Sequence, residues 1–146
     1  MAAVGCARAR CDDGQRGPVE RRREIYRYYA ATGSPPALTA SEAAALEAAH
    51  AAVLARAGAV AFANPFAAGP APFRIKTGRR VYHAICAWDA LGVLAALQSD
   101  GTVQSACPDC DQPISVSVRH GALARAEAVV HFLVPAARWY EDLGFT

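Results

Sequence analysis

The stretch "FRIKTGRRVYHAICAWDALGVLAAL", Phe73 to Leu97, changes its hydrophobic period part-way along. Up to Ile85 it reads as two runs around a "TGRR" turn, with Phe73 and Ile75 on one face, which predicts a pair of antiparallel strands. After Cys86 the apolar residues Leu91, Leu94 and Leu97 recur at helical spacing. Strand, strand, helix in one short stretch points to a sheet with a helix laid on it.

The same reading extends toward the C-terminus. "DGT" at Asp100 to Thr102 is a turn signal, and "TVQSA" and "ISVSVRH" are alternating strands that flank "CPDCDQP". "AVVHFLVP" (128–135) reads as an apolar strand, with His131 as a core histidine in its middle, and "AARWYEDLGFT" as a short amphipathic end. Trp88, Trp139 and Tyr140 are expected to fill the space between sheet and helix or to wall a pocket.

Toward the N-terminus, "NPFAAGPAP" carries prolines and a glycine and is expected to connect two parts. Before it, Pro18 opens a helix that runs to Ala31 with Ile25, Tyr28 and Tyr29 at helical spacing. Thr39 or Ser41 caps a second helix, with Glu42 completing a capping box after Thr39. That helix is expected to run through Ala57, with Leu46, Ala49, Val53 and Leu54 on one face and Gly58 ending it; "AVAFAN" follows as a strand. The expected class is α+β: a disordered tail over 1–17, a small helical winged-helix-like part over 18–63, and over 64–146 a mainly antiparallel sheet with flanking helices.

Composition narrows the function. The net charge of +2 is too small to argue for nucleic acid or an anionic membrane, and the second helix, mostly alanine, offers little to read base edges. No apolar run approaches the roughly 18 residues of a membrane span, and the N-terminus lacks a signal peptide's apolar core, so a cytoplasmic location is expected. Thiols stay reduced there. The five cysteines are Cys6, Cys11, Cys86, Cys107 and Cys110, and an odd number in a reducing compartment favours metal binding or catalysis over disulfides. Cys6 and Cys11 lie in the tail and read as incidental thiols.

Cys86 and Asp89 are the leading pair. Cys86 falls where a strand hands over to a helix, where free N–H groups are expected to lower a thiol pKa. Asp89 sits in the first turn, where partial burial would raise its own pKa and let it hold a proton. A soft thiolate captures a soft electrophile or metal, and a nearby acid protonates what departs. The bland alternative is a buried cysteine and an ordinary capping aspartate. Cys107 and Cys110 in "CPDC" have the spacing of half a zinc knuckle, or of a redox pair placed in a hairpin. His83, His131 or Cys86 would complete a metal site only if the fold brings them near. The glycines form no phosphate loop.

Five blocks occur in one order: "NPF" (Asn64 to Phe66), "PFRI" (Pro72 to Ile75), "CAWDALG" (Cys86 to Gly92), "CPDC" (Cys107 to Cys110) and "VVHFLVP…RW" (Val129 to Trp139). In this the chain resembles the organomercurial (alkylmercury) lyase family from about Pro18 onward. The resemblance implies a carbon–mercury bond cleaved by two thiolates and an aspartate. Cys86 would be the first thiolate and Asp89 the proton shuttle, with a hydrocarbon released and Hg(II) left on the thiols. The family's second catalytic cysteine lies just before the "VHF" block, where this chain has Glu127 or Ala128. A second thiol would come from Cys107 or Cys110, or from residues beyond Thr146, where relatives are expected to continue, or not at all. The metal ligands to consider are Cys86, Cys107 and Cys110. The expected partners are a small organomercurial substrate and low-molecular-weight thiols for turnover, with no resident cofactor and Hg(II) as a product ligand. The alternatives are a non-catalytic protein that binds Hg(II) or another soft metal, and a metal-sensing regulator.

Overall fold

Antiparallel pairing runs through the whole architecture. The structure, a computed structural model, describes residues 17–51, 53–56, 59–78, 80–124 and 128–141. In chain order the elements are α1 (Pro18–Thr32), α2 (Ala40–Ala48), β1 (Val53–Arg56), β2 (Ala59–Ala63), β3 (Phe66–Ala67), β4 (Phe73–Thr77), β5 (Arg80–Ala84), α3 (Ala87–Leu97), β6 (Gly101–Ala106), β7 (Pro113–Arg119), β8 (Ala122–Leu123) and a 3-10 turn (Ala136–Glu141). The strands form one sheet in the order β1-β2-β3-β5-β4-β6-β7-β8. The α+β class expected from the sequence is the class observed.

Local chemistry explains the helix ends. Pro18 opens α1, and Gly33 closes it at φ +79° with its N–H on the Tyr29 carbonyl at 2.8 Å. Thr39 caps α2 reciprocally. Its hydroxyl accepts from the Glu42 N–H at 3.2 Å, and the Glu42 carboxylate accepts from the Thr39 N–H at 2.8 Å.

The far end of α2 departs from expectation. The helix stops at Ala48, not Ala57. His50 adopts φ +50°, its N–H reaches the Glu47 carbonyl at 3.0 Å, and the Ala51 N–H reaches the Leu46 carbonyl at 2.9 Å. This is the crossed pair of bonds of a Schellman end, with histidine where glycine is usual. Val53 and Leu54 therefore join strand β1, antiparallel to β2, instead of a helix face.

The core lies between the helices and one face of the sheet. α1 buries Ile25 and Tyr29, and α3 buries Ala90, Val93 and Leu94 against Ile75, Tyr82 and Val103. Leu91 and Leu97 pack at its margin. The Tyr29 ring stacks on Phe66 at 4.9 Å, and the Tyr82 hydroxyl donates to the Ala30 carbonyl at 3.1 Å, so α1 is fixed to both β3 and β5. The expected boundary at 63/64 falls between β2 and β3. The expected connection contains β3, which pairs with β2 on one side and β5 on the other.

"AVVHFLVP" is not a strand. Residues 128–135 form no ladder among the described residues, and the strand that pairs with β7 beyond the turn is the two-residue β8. Val129, Val130, Phe132 and Leu133 are exposed, and so is His131, which is not a core residue. An apolar run becomes a buried strand only where a sheet edge and a covering layer receive it, and the two-residue β8 extends the sheet no further here. Residues 1–16, with Cys6 and Cys11, lie outside the described residues.

Candidate active site at the start of helix α3

Strand β5 delivers the chain to the start of α3, and Cys86 is the residue between them. Its backbone is extended, at φ −137° and ψ 168°, and its sulfur is the helix cap, accepting the Asp89 N–H at 3.4 Å. Cysteine here takes the part usually played by serine or aspartate. The spacing has a geometric consequence: Asp89 is the third helical residue, so its side chain returns toward the cap, as in a capping box.

The site is drier than the sequence suggested. Asp89 is 7% exposed, the one buried polar residue among the described residues, while Cys86 is half-buried. Burial pushes the Cys86 thiol up to about 11. The N–H groups of Asp89 and Trp88 act in the other direction, and the Asp89 carboxyl, in hydrogen-bond contact with the thiol, adds to the rise. The expected lowering by the helix terminus is thus overturned: two backbone donors do not offset desolvation beside a carboxylate. Asp89 is itself raised, by burial first, with its bond to Cys86 opposing. At neutral pH the thiol keeps its proton, and the carboxyl beside it has a raised affinity for one.

An aromatic group adjoins this cap. Trp88, 58% exposed, meets Phe132 edge-on at 6.1 Å, and Phe132 stacks on Trp139 at 5.4 Å. The Trp139 indole N–H donates to the Val134 carbonyl at 3.1 Å, which fixes the ring. Phe132 escaped the sequence reading, which assigned its segment to a strand. The recurrence of aromatic residues in "HFLVPAARW" was the available signal.

The "CPDC" pair lies in the β6–β7 hairpin, as expected. The Cys107 N–H donates to the Gln112 carbonyl at 2.8 Å, the Asp111 N–H donates to the Cys107 carbonyl at 2.9 Å, and Asp111 turns at φ +56°. The N–H groups of Asp109 and Cys110, and the Cys110 thiol, point to the Cys107 sulfur and hold its pKa below the ordinary value. Cys107 and Cys110 are therefore brought together, and Cys86 is brought to Asp89. Among the described residues no three His, Cys, Asp or Glu side chains converge as a metal site. His83 instead accepts the Ala71 N–H on Nδ1 at 3.4 Å.

The sequence profile of the alkylmercury lyase family matches residues 66–144, more than half of the chain. The chain belongs to the alkylmercury lyase family. The matched segment holds Cys86, Asp89 and the whole hairpin pair. A crystal structure of the mercury-bound form of MerB2 superposes with a TM-score of 0.62 at 23% identity, over 79% of this chain and 62% of that one. That likeness shows the shared fold, and this chain spans less than two thirds of that structure's length. No curated protein sequence matches the chain. Among the described residues no helix is long and apolar enough to cross a membrane.

Proposed function

We propose that the chain cleaves carbon–mercury bonds, with Cys86 as the sulfur that captures mercury and Asp89 as the group that moves the proton. The observation that carries this reading is a half-buried thiol capping α3 in contact with a buried carboxyl. In a compound R–Hg–X, mercury is soft and X leaves readily. Sulfur bonds to mercury, X⁻ departs, and the thiol proton passes to the Asp89 carboxylate. Asp89 then hands that proton to the carbon of R as the C–Hg bond breaks. R–H leaves, and Hg(II) remains on Cys86 and a second sulfur.

The raised pKa values suit both halves of this cycle. A thiol near 11 gives up its proton when a metal replaces it, not before, and a carboxyl raised by burial is a stronger proton carrier than one in water. Neither Glu127 nor Ala128, where the family's second cysteine would fall, has a sulfur, so a low-molecular-weight thiol supplies the second ligand. The exposed rings of Trp88 and Phe132 offer an apolar surface to the organic group. In this reading residues 18–63 form a winged-helix-like scaffold, with α1 packed on the sheet that β1 and β2 extend, and the site serves a soluble cytoplasmic enzyme.

Headspace methane from methylmercury with excess glutathione is the test. The unmodified chain should release methane, and Cys86→Ser should release none. Asp89→Asn should still bind mercury but release methane about 10²–10⁴-fold more slowly. Mercury bound without methane from the unmodified chain would make the protein a thiol trap, not a lyase.

A further inference from the structure

We propose that the Cys107–Cys110 hairpin is a second mercury site, separate from Cys86, that takes Hg(II) on both of its own sulfurs. The choice of mercury rests on the function proposed above; the two-thiol site itself does not. Four observations carry it.

The loop is closed before any ion arrives. Two backbone bonds, from the Cys107 N–H to the Gln112 carbonyl and from the Asp111 N–H to the Cys107 carbonyl, hold residues 107–112 in a tight turn that sets the sulfurs side by side. The backbone N–H groups of Asp109 and Cys110 already aim at the Cys107 sulfur, and they can keep those bonds when the sulfur is metallated. Ligand number selects the ion. With no third His, Cys, Asp or Glu converging among the described residues, the pair cannot close a tetrahedral zinc site on this chain, whereas a soft ion content with two sulfurs needs nothing more. Access and charge agree with a cation. Cys110 is exposed, and Asp109 and Asp111 flank it, both exposed.

Topology gives the pair its place. Cys86 leaves β5 just after Ala84, which pairs with Phe73 at the start of β4. Arg74 of β4 pairs with Gln104 of β6, the Ser105 hydroxyl reaches the Pro72 carbonyl at 3.0 Å, and Ala106 pairs with Pro113. The hairpin and Cys86 therefore emerge from the same end of the sheet. They leave from β6 and β5 with β4 between, about 10 Å apart at ordinary strand spacing. Transfer of product is a thiol exchange without redox change. The bonds from Hg(II) to Cys86 and to an external thiolate break, two bonds to Cys107 and Cys110 form, and the two protons these thiols lose go to Cys86 and the external thiol.

The experiment uses the full chain with Cys6, Cys11 and Cys86 all replaced by serine, so that the hairpin thiols alone remain; serine also keeps the α3 cap. The chain is titrated with Hg(II) in excess glutathione, then examined by native mass spectrometry and mercury X-ray absorption. One retained ion per chain with two protein sulfurs is expected, and retention should fall about a hundredfold when Cys110→Ser is added, since one sulfur of a chelating pair is lost. Loss of all mercury to glutathione would overturn the proposal. So would half an ion per chain with four sulfurs, which marks a site shared between two copies, or retention unchanged by Cys110→Ser. Methane from the unmodified chain reports the lyase reading independently: its absence sinks that reading and leaves the retention measurement untouched.

Discussion

Two thiol environments in one chain differ in sign. Burial beside Asp89 raises Cys86 from 9.0 to about 11, while backbone N–H groups lower Cys107. A rise of that size lowers the thiolate fraction at pH 8 about a hundredfold, and the thiolate is what alkylates. Iodoacetamide at pH 8 should therefore label Cys107 first and Cys86 last, and Cys86 labelling should climb until the pH passes about 11. Peptide mass spectrometry that finds Cys86 labelled first would refute the desolvated environment. Asp89 gives a stability prediction with a definite sign. A carboxyl whose folded pKa is raised contributes stability that is complete below its ordinary value of 3.8 and lost as pH rises through the folded value. Asp89→Asn, which cannot ionise, should thus raise the melting temperature at pH 7, with the gain shrinking as the pH falls through the raised folded value and gone below 3.8. A loss of stability at pH 7 would mean that Asp89 serves the fold first.

Where elements meet, the packing leaves little freedom. Gly101 opens β6 directly beneath α3, and a Cβ there would lie 2.5 Å from Leu94 Cδ2 and 2.7 Å from the Lys76 carbonyl oxygen. The backbone oxygen cannot swing away as a side chain can. Gly101→Ala should destabilise the protein by about 1–3 kcal/mol, measured by urea unfolding, and an unchanged midpoint would contradict the close approach. The α1–β3 contact predicts the opposite. Tyr29 is buried, its hydroxyl has no hydrogen-bond partner among the described residues, and burial pushes its pKa up to about 12. Tyr29→Phe keeps the stack on Phe66 and removes an unsatisfied polar atom, so stability should hold or rise by about 1 kcal/mol. A loss larger than that would reveal a partner for the hydroxyl.

Across the whole molecule, one core joins the helices before β3 to the sheet after it. Ile25 and Leu46 share a cluster with Phe66, Ile75 and Val103, and the ladder passes unbroken from β2 through β3 to β5. Ile25→Ala should cost about 2–5 kcal/mol, and the loss should be felt far from α1. Trp88 and Trp139 both lie beyond β5, so their fluorescence reports the distal part of the chain. Unfolding followed by that fluorescence and by far-ultraviolet circular dichroism should coincide, and both should shift together in the variant. Two separate transitions would instead mean that residues 18–63 and the rest fold as independent units.

The sequence by itself determined what depends on neighbours along the chain. Period and turn chemistry identified β4, β5, α3 and the β6–β7 hairpin; the Thr39–Glu42 pair identified the start of α2; and the three-residue gap put Asp89 over Cys86 on the first turn of α3. The family blocks also sit within it, because motifs are local. Only the tertiary structure decided the rest. The end of α2 depends on His50 accepting a left-handed turn, which no glycine announced. The segment 128–135 has the composition of a strand, but a strand needs a free edge and a covering layer, and both are properties of distant residues. The pKa of Cys86 was misread for the same reason. The helix terminus is visible in the sequence, but the burial that outweighs it is a sum over atoms brought in from elsewhere in the fold.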